Sequence, residues 1–227
     1  MVDASIGGKT AINTKQGKNL IGTFKHPYAI YIDSFFLLTL DLRQLINGFA
    51  EIIKYGLICD KDFFNYVKNN FEKLINLEDI ETIDKVIEQC CRHKKTFILD
   101  DEYDYNERMK LNFGHTIGHA IETYFNYKNI LHGEAVYYGM LASNYISYHL
   151  KYISKVEFME ITKFIKSIPK FQLENIDFEK LYYYIQFDKK QIGNKKNFIL
   201  LNEIGDARIE KNVSPSIIKE SLQFILK

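Results

Sequence analysis

His115 and His119 are the residues of this chain best suited to metal or proton chemistry. They stand four apart in Leu111-Asn112-Phe113-Gly114-His115-Thr116-Ile117-Gly118-His119-Ala120-Ile121-Glu122. On a helix that spacing puts both imidazoles on one face, about 6 Å apart. A third histidine, His132, opens Leu131-His132-Gly133-Glu134-Ala135-Val136 and can fold back onto the same face. Two or three converging imidazoles suit zinc, which takes nitrogen ligands in a tetrahedral array. A bare His-x-x-x-His is more often a pair of hydrogen-bonded, half-buried helix residues, so its surroundings must carry the reading.

The elements that would hold these residues are mostly helical. From Asp41, an N-cap residue type, apolar residues recur at three- and four-residue spacing, as in Ile83, Val86, Ile87 and Cys90. The pattern predicts helices near 41–58, 60–76, 79–98, 107–127, 133–152, 154–167 and 177–187. Before them, Gly7, Gly8, Gly17 and Gly22 punctuate loop and strand, and Tyr28-Ala29-Ile30-Tyr31-Ile32-Asp33 predicts a short buried strand. Near the end, Phe198-Ile199-Leu200-Leu201 and Ala207-Arg208-Ile209-Glu210 flank a turn at Gly205, which predicts a β-hairpin. Ser214-Pro215 then opens a final helix to about residue 226. The expected fold class is mainly α with a small β-hairpin.

Composition sets the outer bounds. The 227 residues can bury a full core, and 46% hydrophobic with 26% charged residues is an ordinary globular balance. A net charge of +1 argues against nucleic acid as a partner, which calls for a clustered basic excess. No apolar run reaches the roughly 18–20 residues that span a bilayer, so no membrane partner is expected. The first residues lack the layout of a signal peptide. Three cysteines, Cys59, Cys90 and Cys91, make no disulfide framework, which fits the reducing cytoplasm or the stroma of a plastid.

Two further blocks precede the histidines. Val2-Asp3-Ala4-Ser5-Ile6-Gly7-Gly8-Lys9-Thr10-Ala11-Ile12-Asn13 leads to Gly17-Lys18-Asn19-Leu20-Ile21-Gly22-Thr23-Phe24, and Asn47-Gly48-Phe49-Ala50-Glu51-Ile52-Ile53-Lys54-Tyr55-Gly56 follows. Taken in order with the histidine segments, with Cys91 to Arg108 and with Asp188-Lys189-Lys190, they resemble the 3-dehydroquinate synthase family of sugar-phosphate cyclases over nearly the whole chain. The resemblance implies conversion of 3-deoxy-D-arabino-heptulosonate 7-phosphate to 3-dehydroquinate and phosphate in the shikimate pathway, with NAD and zinc, or cobalt in its place, as cofactors. In that chemistry NAD takes a hydride and returns it after phosphate has been eliminated, so the reaction is redox-neutral.

The same resemblance implies roles for particular residues. Glu51, His115 and His132 are the implied metal ligands, an open set that leaves room for substrate oxygens. His119 and Asp104 are the implied catalytic groups, His119 as general acid or base beside the metal. Asp3, Lys9, Asn19, Asn47, Lys54, Lys94, Arg108 and Asn112 are implied to meet the sugar phosphate, joined by Lys189 or Lys190. Lys18 and the segment Phe36, Leu37, Leu38 and Thr39 are implied to contact the cofactor. Residues 1–40 correspond to the last piece of an α/β NAD-binding domain and 41–227 to a helical metal- and substrate-binding domain, with homodimers expected of the full-length family.

Departures from the family pattern carry expectations of their own. Where the family reads Asp-Glu-x-Glu-x-Gly-x-Arg, this chain has Asp101-Glu102-Tyr103-Asp104-Tyr105-Asn106-Glu107-Arg108. Asp104 is one methylene short, and a misplacement of about 1 Å can cost on the order of 100-fold. Asn106 stands for a glycine and tolerates a left-handed backbone. The Gly-rich nucleotide turn of the family lies outside this chain, so the expectation is zinc binding with little synthase activity by the chain alone, and an exposed apolar face. The rival readings are another cyclase or a polyol dehydrogenase of the superfamily, and a non-catalytic remnant or a subunit needing a separate cofactor domain.

Overall fold

The computed structural model describes residues 1–14, 17–186 and 197–227, with the backbone alone at 13 and 17–20. At the N-terminus, β1 (Lys9–Thr14) pairs antiparallel with β2 (Gly17–Phe24), Lys9 lying opposite Phe24 and Ile12 opposite Ile21. A 3₁₀ turn, Ser34–Thr39, leads into α1 (Leu42–Cys59), which starts where the Asp41 carboxylate accepts the Gln44 N–H at 2.8 Å. Then come α2 (Lys61–Asn69), α3 (Phe71–Ile75) and α4 (Ile80–Asp100). A second 3₁₀ turn, Glu107–Asn112, precedes α5 (His115–Tyr124) and α6 (His132–His149). α7 (Lys155–Ser167), α8 (Phe178–Gln186), a hairpin of β3 (Phe198–Glu203) and β4 (Asp206–Glu210), and α9 (Pro215–Ile225) complete the chain.

Two helices form the middle of the molecule. α1 is buried without a break from Phe49 to Ile58, and α6 buries all but four of its eighteen residues. A helix apolar on all sides belongs in a core, and each buried Ile, Leu or Phe contributes about 1.5–3 kcal/mol. The two cross closely at Gly133, where a Cβ would lie 2.0 Å from the Asn47 carbonyl oxygen. The C-terminal hairpin pairs antiparallel as the sequence predicts and packs on both helices, through Gly205 N–H to the Leu57 carbonyl and Leu201 N–H to Ser147 Oγ.

Three expectations are corrected. The helix predicted over 107–127 is interrupted at Gly114, whose φ of +77° cannot continue a helix and whose missing Cβ lets α6 approach within contact of its backbone. The stretch predicted over 60–76 divides at Asn70, where the backbone (φ −112°, ψ 12°) leaves the helical region. Tyr28 to Asp33 is not a strand: Tyr28 and Tyr31 are fully exposed, because no strand edge lies beside them among the described residues. Ile12, Ile21, Phe35 and Phe36 are also exposed, giving this end of the chain the apolar surface expected of it. No helix among the described residues is long and apolar enough to cross a membrane.

Candidate metal centre

Glu51 sits in the middle of α1, and His115 and His132 are the first residues of α5 and α6. The three therefore arrive from different helices, and their ligand atoms lie within 4.8 Å of one another. His115 Nε2 is 3.4 Å and His132 Nε2 3.6 Å from Glu51 Oε1. In a tetrahedral zinc site with bonds of about 2.0–2.2 Å, neighbouring ligand atoms stand about 3.3–3.6 Å apart. Glu51 Oε1 is buried and has no hydrogen-bond partner, while Oε2 is paired with the Lys54 ammonium. An orphaned carboxylate oxygen faced by two imidazole nitrogens is a donor set that fits zinc, and cobalt by the same geometry.

Each histidine ring is held from its far side. His115 Nδ1 is 3.0 Å from the Phe113 carbonyl oxygen, so it carries the proton and leaves the Nε2 lone pair toward Glu51. His132 Nδ1 is 3.3 Å from Glu122 Oε2. His119, one turn beyond His115, places its ring 5.4 Å from that of His115 and 6.0 Å from that of His132. It stands beside the ligand set and is half exposed, where it can exchange a proton with a bound molecule.

The electrostatics follow from burial working against pairing. Burial would raise the Glu51 pKa, but Lys54, His115 and His132 outweigh it and hold the carboxyl well below its usual range. Burial would lower that of Lys54, yet Glu51 and Asp3 keep it raised and the ammonium charged. For His132, burial again favours the neutral ring, but the Glu122 and Glu51 carboxylates beside it raise the pKa to about 9. A metal at this site competes with that proton.

Of the implied substrate-binding residues, Asp3 and Lys94 lie near enough to Glu51 and Lys54 to interact with their charges. Asp3 accepts the Tyr55 hydroxyl at 2.7 Å, and Lys94, buried on α4, donates to the Asp3 carbonyl at 2.5 Å and lies 3.0 Å from its carboxylate. Lys9 pairs with Asp104, whose second oxygen is buried without a partner. Arg108, only 2% exposed, donates from Nη2 to the Gly7 carbonyl at 2.8 Å and from Nη1 to the Glu102 carbonyl. Gly7, at φ +103°, has to be glycine here, since a Cβ would lie 2.3 Å from Arg108 Nη2. Asn112 donates to the Met109 carbonyl at 3.2 Å, and Asn47 accepts the Gly133 N–H at 2.6 Å.

Other implied residues lie apart or beyond description. Phe36, Leu37, Leu38 and Thr39 lie on the first 3₁₀ turn, with Phe36 and Leu38 pointing outward. Lys189 and Lys190 lie outside the described residues, as do the side chains of Lys18 and Asn19. The left-handed residue of the 101–108 loop is Asp104 (φ +66°), whereas Asn106 has φ −138° and gives its N–H to Asp101. Glu122 escaped the sequence reading. Its signal was there: an acidic residue three after His119 among Ile117, Ala120 and Ile121, on a helix face too apolar for a solvated carboxylate.

Comparison with known proteins gives the lineage. A family model described as 3-dehydroquinate synthase N-terminal matches residues 1–47, and one described as 3-dehydroquinate synthase C-terminal matches residues 48–191. The 3-dehydroquinate synthase of Clostridium acetobutylicum is 43% identical over 220 residues, covering 96% of this chain and 61% of the relative. That of Dictyoglomus thermophilum is 42% identical over 223 residues, covering 98% and 62%. The chain thus spans about three fifths of the length of these relatives. Among solved structures, 2-epi-5-epi-valiolone synthase from Streptomyces hygroscopicus, with NAD+ and Zn2+ bound, superposes with a TM-score of 0.86 at 24% identity, over 99% of this chain and 62% of that one. A 2-deoxy-scyllo-inosose synthase complexed with carbaglucose-6-phosphate, NAD+ and Co2+ gives 0.84 at 24% identity, over 98% and 64%. These likenesses show the fold.

Proposed function

This chain belongs to the 3-dehydroquinate synthase family, and we propose that it carries the metal- and substrate-binding part of the reaction that turns 3-deoxy-D-arabino-heptulosonate 7-phosphate into 3-dehydroquinate and phosphate. The observation that carries the reading is the convergence of His115 and His132 on the partnerless Glu51 Oε1, with His119 one turn away. Glu51, His115 and His132 would hold zinc or cobalt, which when bound supplies Lewis acidity to hydroxyl oxygens of the sugar, while NAD supplies a reversible hydride acceptor. The 40% range of identity to curated synthases favours this substrate over those of the cyclases that share only the fold.

The chain's own residues then have distinct tasks. His119 takes a proton from the substrate hydroxyl nearest the metal ligands and later returns one. Lys9, Lys94 and Arg108 offer positive charge to the phosphate and carboxylate, and Asn112 and Asp3 offer hydrogen bonds to hydroxyls. Asp104, beside Lys9, is placed to handle a second proton. Lys54 keeps Glu51 ionised for its ligand role. Within the family a cytoplasmic homodimer is the assembly we propose.

Equilibrium dialysis against zinc tests the reading, with and without the sugar phosphate. One zinc per chain is expected, lost in His115→Ala, with sugar phosphate bound more tightly when zinc is present. Zinc binding that is indifferent to His115, or sugar-phosphate binding that is indifferent to zinc, would sink it. Phosphate release without net NADH, assayed with NAD present, separates the synthase from a polyol dehydrogenase.

A further inference from the structure

Glu122 has the wrong surroundings for an ordinary surface acid. It is 2% exposed, on the face of α5 that also carries Ile117 and Ile121 into the core. Burying a carboxylate is costly unless something charged or hydrogen-bonding meets it. Here its Oε2 lies 3.3 Å from His132 Nδ1 and 4.0 Å from His119 Nε2. The same His132 ring turns its other nitrogen, Nε2, toward Glu51 Oε1.

We propose that Glu122 is a positioning residue for the metal centre: it holds the proton on His132 Nδ1 and so commits Nε2 to the ion. The inference rests on the metal reading given above. The two nitrogens of an imidazole point away from each other, so one ring cannot offer both to a single ion. Whichever nitrogen is tied to a carboxylate as a donor is withdrawn from ligation. His115 is treated the same way by a neutral acceptor, the Phe113 carbonyl. The two ligands therefore differ in kind. His115 is oriented by a backbone dipole one turn-start away, and His132 by a full negative charge brought from a different helix. His132 needs the stronger hold, because it is the more exposed of the two, 40% against 12% for its side chain. Glu122 also fits this role by position: it descends from α5 onto the first residue of α6, so it couples the helix that bears His115 and His119 to the one that bears His132.

His119, Glu122 and His132 also form a geometric cluster of their own, with ligand atoms within 4.8 Å. An ion there would have to use His132 Nδ1 and would compete with one at Glu51. The partnerless oxygen lies on Glu51, which favours the Glu51 side as the ion's place and leaves Glu122 as the support.

The test uses the full chain and the substitution Glu122→Gln, which keeps shape and removes charge. Zinc affinity, measured by competition with a chromogenic chelator, should fall on the order of 10- to 100-fold, the usual effect of losing an outer hydrogen-bond partner. Imidazole ¹⁵N spectra of the zinc-loaded wild-type chain should show His132 bound through Nε2 with Nδ1 protonated. Ligation through Nδ1, or an affinity in folded Glu122→Gln within twofold of the wild type, would overturn the proposal. If Glu122→Gln does not fold, the wild-type spectra decide. If the chain binds no zinc at all, the metal reading fails separately, and the same spectra of the zinc-free chain at pH 10 still report whether the neutral His132 ring keeps its proton on Nδ1.

Discussion

Glu51, His115 and His132 are presented by three helices anchored in the core, whereas Lys9, Asp104 and Arg108 come from a strand end, a left-handed loop residue and a 3₁₀ turn. The first group leaves one valence open, the buried Glu51 Oε1. In the second group each charge already has a partner, Lys9 with Asp104 and Arg108 with two backbone carbonyls, although Asp104 Oδ1 and Arg108 Nε are themselves buried without one. A site on helices is held ready for an ion, while a site on loops is held in shape by the cations that a phosphate would have to recruit. Ion binding should therefore cost little rearrangement, and anion binding should exchange existing pairs for new ones.

Lys54 gives the largest expected effect, because it and Glu51 form a buried pair. Lys54→Met leaves the carboxylate without its cation, and breaking one side of a buried pair costs about 3–5 kcal/mol. Urea unfolding in the presence of a chelator should show that loss, and saturating zinc should restore part of it. Unchanged stability without zinc would mean that the two imidazoles already suffice for Glu51, and the helical half would be less finely balanced than its geometry implies. Next comes His115→Ala, which removes a ligand outright. Zinc affinity should drop by more than the ~100-fold upper range of an outer-partner loss, with the folded structure retained. A drop of less than tenfold would place the ion elsewhere.

The loop half should respond in the opposite way, in function more than in stability. Lys9 is half exposed, and exposed pairs contribute about 0–1 kcal/mol. Asp104→Asn, which also tolerates the left-handed backbone at this position, should leave the urea midpoint nearly unchanged while lowering turnover by about 100-fold, the low end for loss of a general acid or base. Asp104→Glu, one methylene longer, should raise turnover above that of the natural chain if reach limits it. A large loss of stability in Asp104→Asn would show that the pair holds the loop together rather than serving the reaction.

What the sequence disclosed depends on the range of the forces involved. The helix start at Asp41, the opening of α9 at Ser214-Pro215 and the turn at Gly205 were readable because capping and turn chemistry act within a few residues. The convergence of Glu51 with His115 and His132 was legible only through resemblance to a family, since it depends on α1, α5 and α6 crossing at Gly133 and Gly114, contacts between residues far apart in sequence. Tyr28 to Asp33 misled for a related reason. Apolar alternation records a tendency to be buried but says nothing of what would cover it. Engagement of Arg108 by the Gly7 carbonyl was hidden too, because the acceptor is a backbone atom 101 residues away.

The smallest expected effect is a control outside both halves. Ser154 and Glu157 form a capping box at the start of α7, and Glu157 also accepts the Ile204 N–H at 3.2 Å, tying the helix to the C-terminal hairpin. Burial would raise the Glu157 pKa, but hydrogen bonds from Ser154 and the Ile204 N–H hold it below the ordinary carboxylate value. The folded state therefore binds this proton more weakly than the unfolded one. Its contribution is fully present above the unfolded pKa of about 4.3 and is lost as pH falls through the lower folded value. Glu157→Gln should cost about 1 kcal/mol at neutral pH, a typical cap contribution, and should lessen the decline in stability below pH 4.3. Zinc affinity and turnover should not move. If they do, the hairpin and α7 are coupled to α6 more tightly than the contrast between a rigid ion site and an adaptable anion site allows.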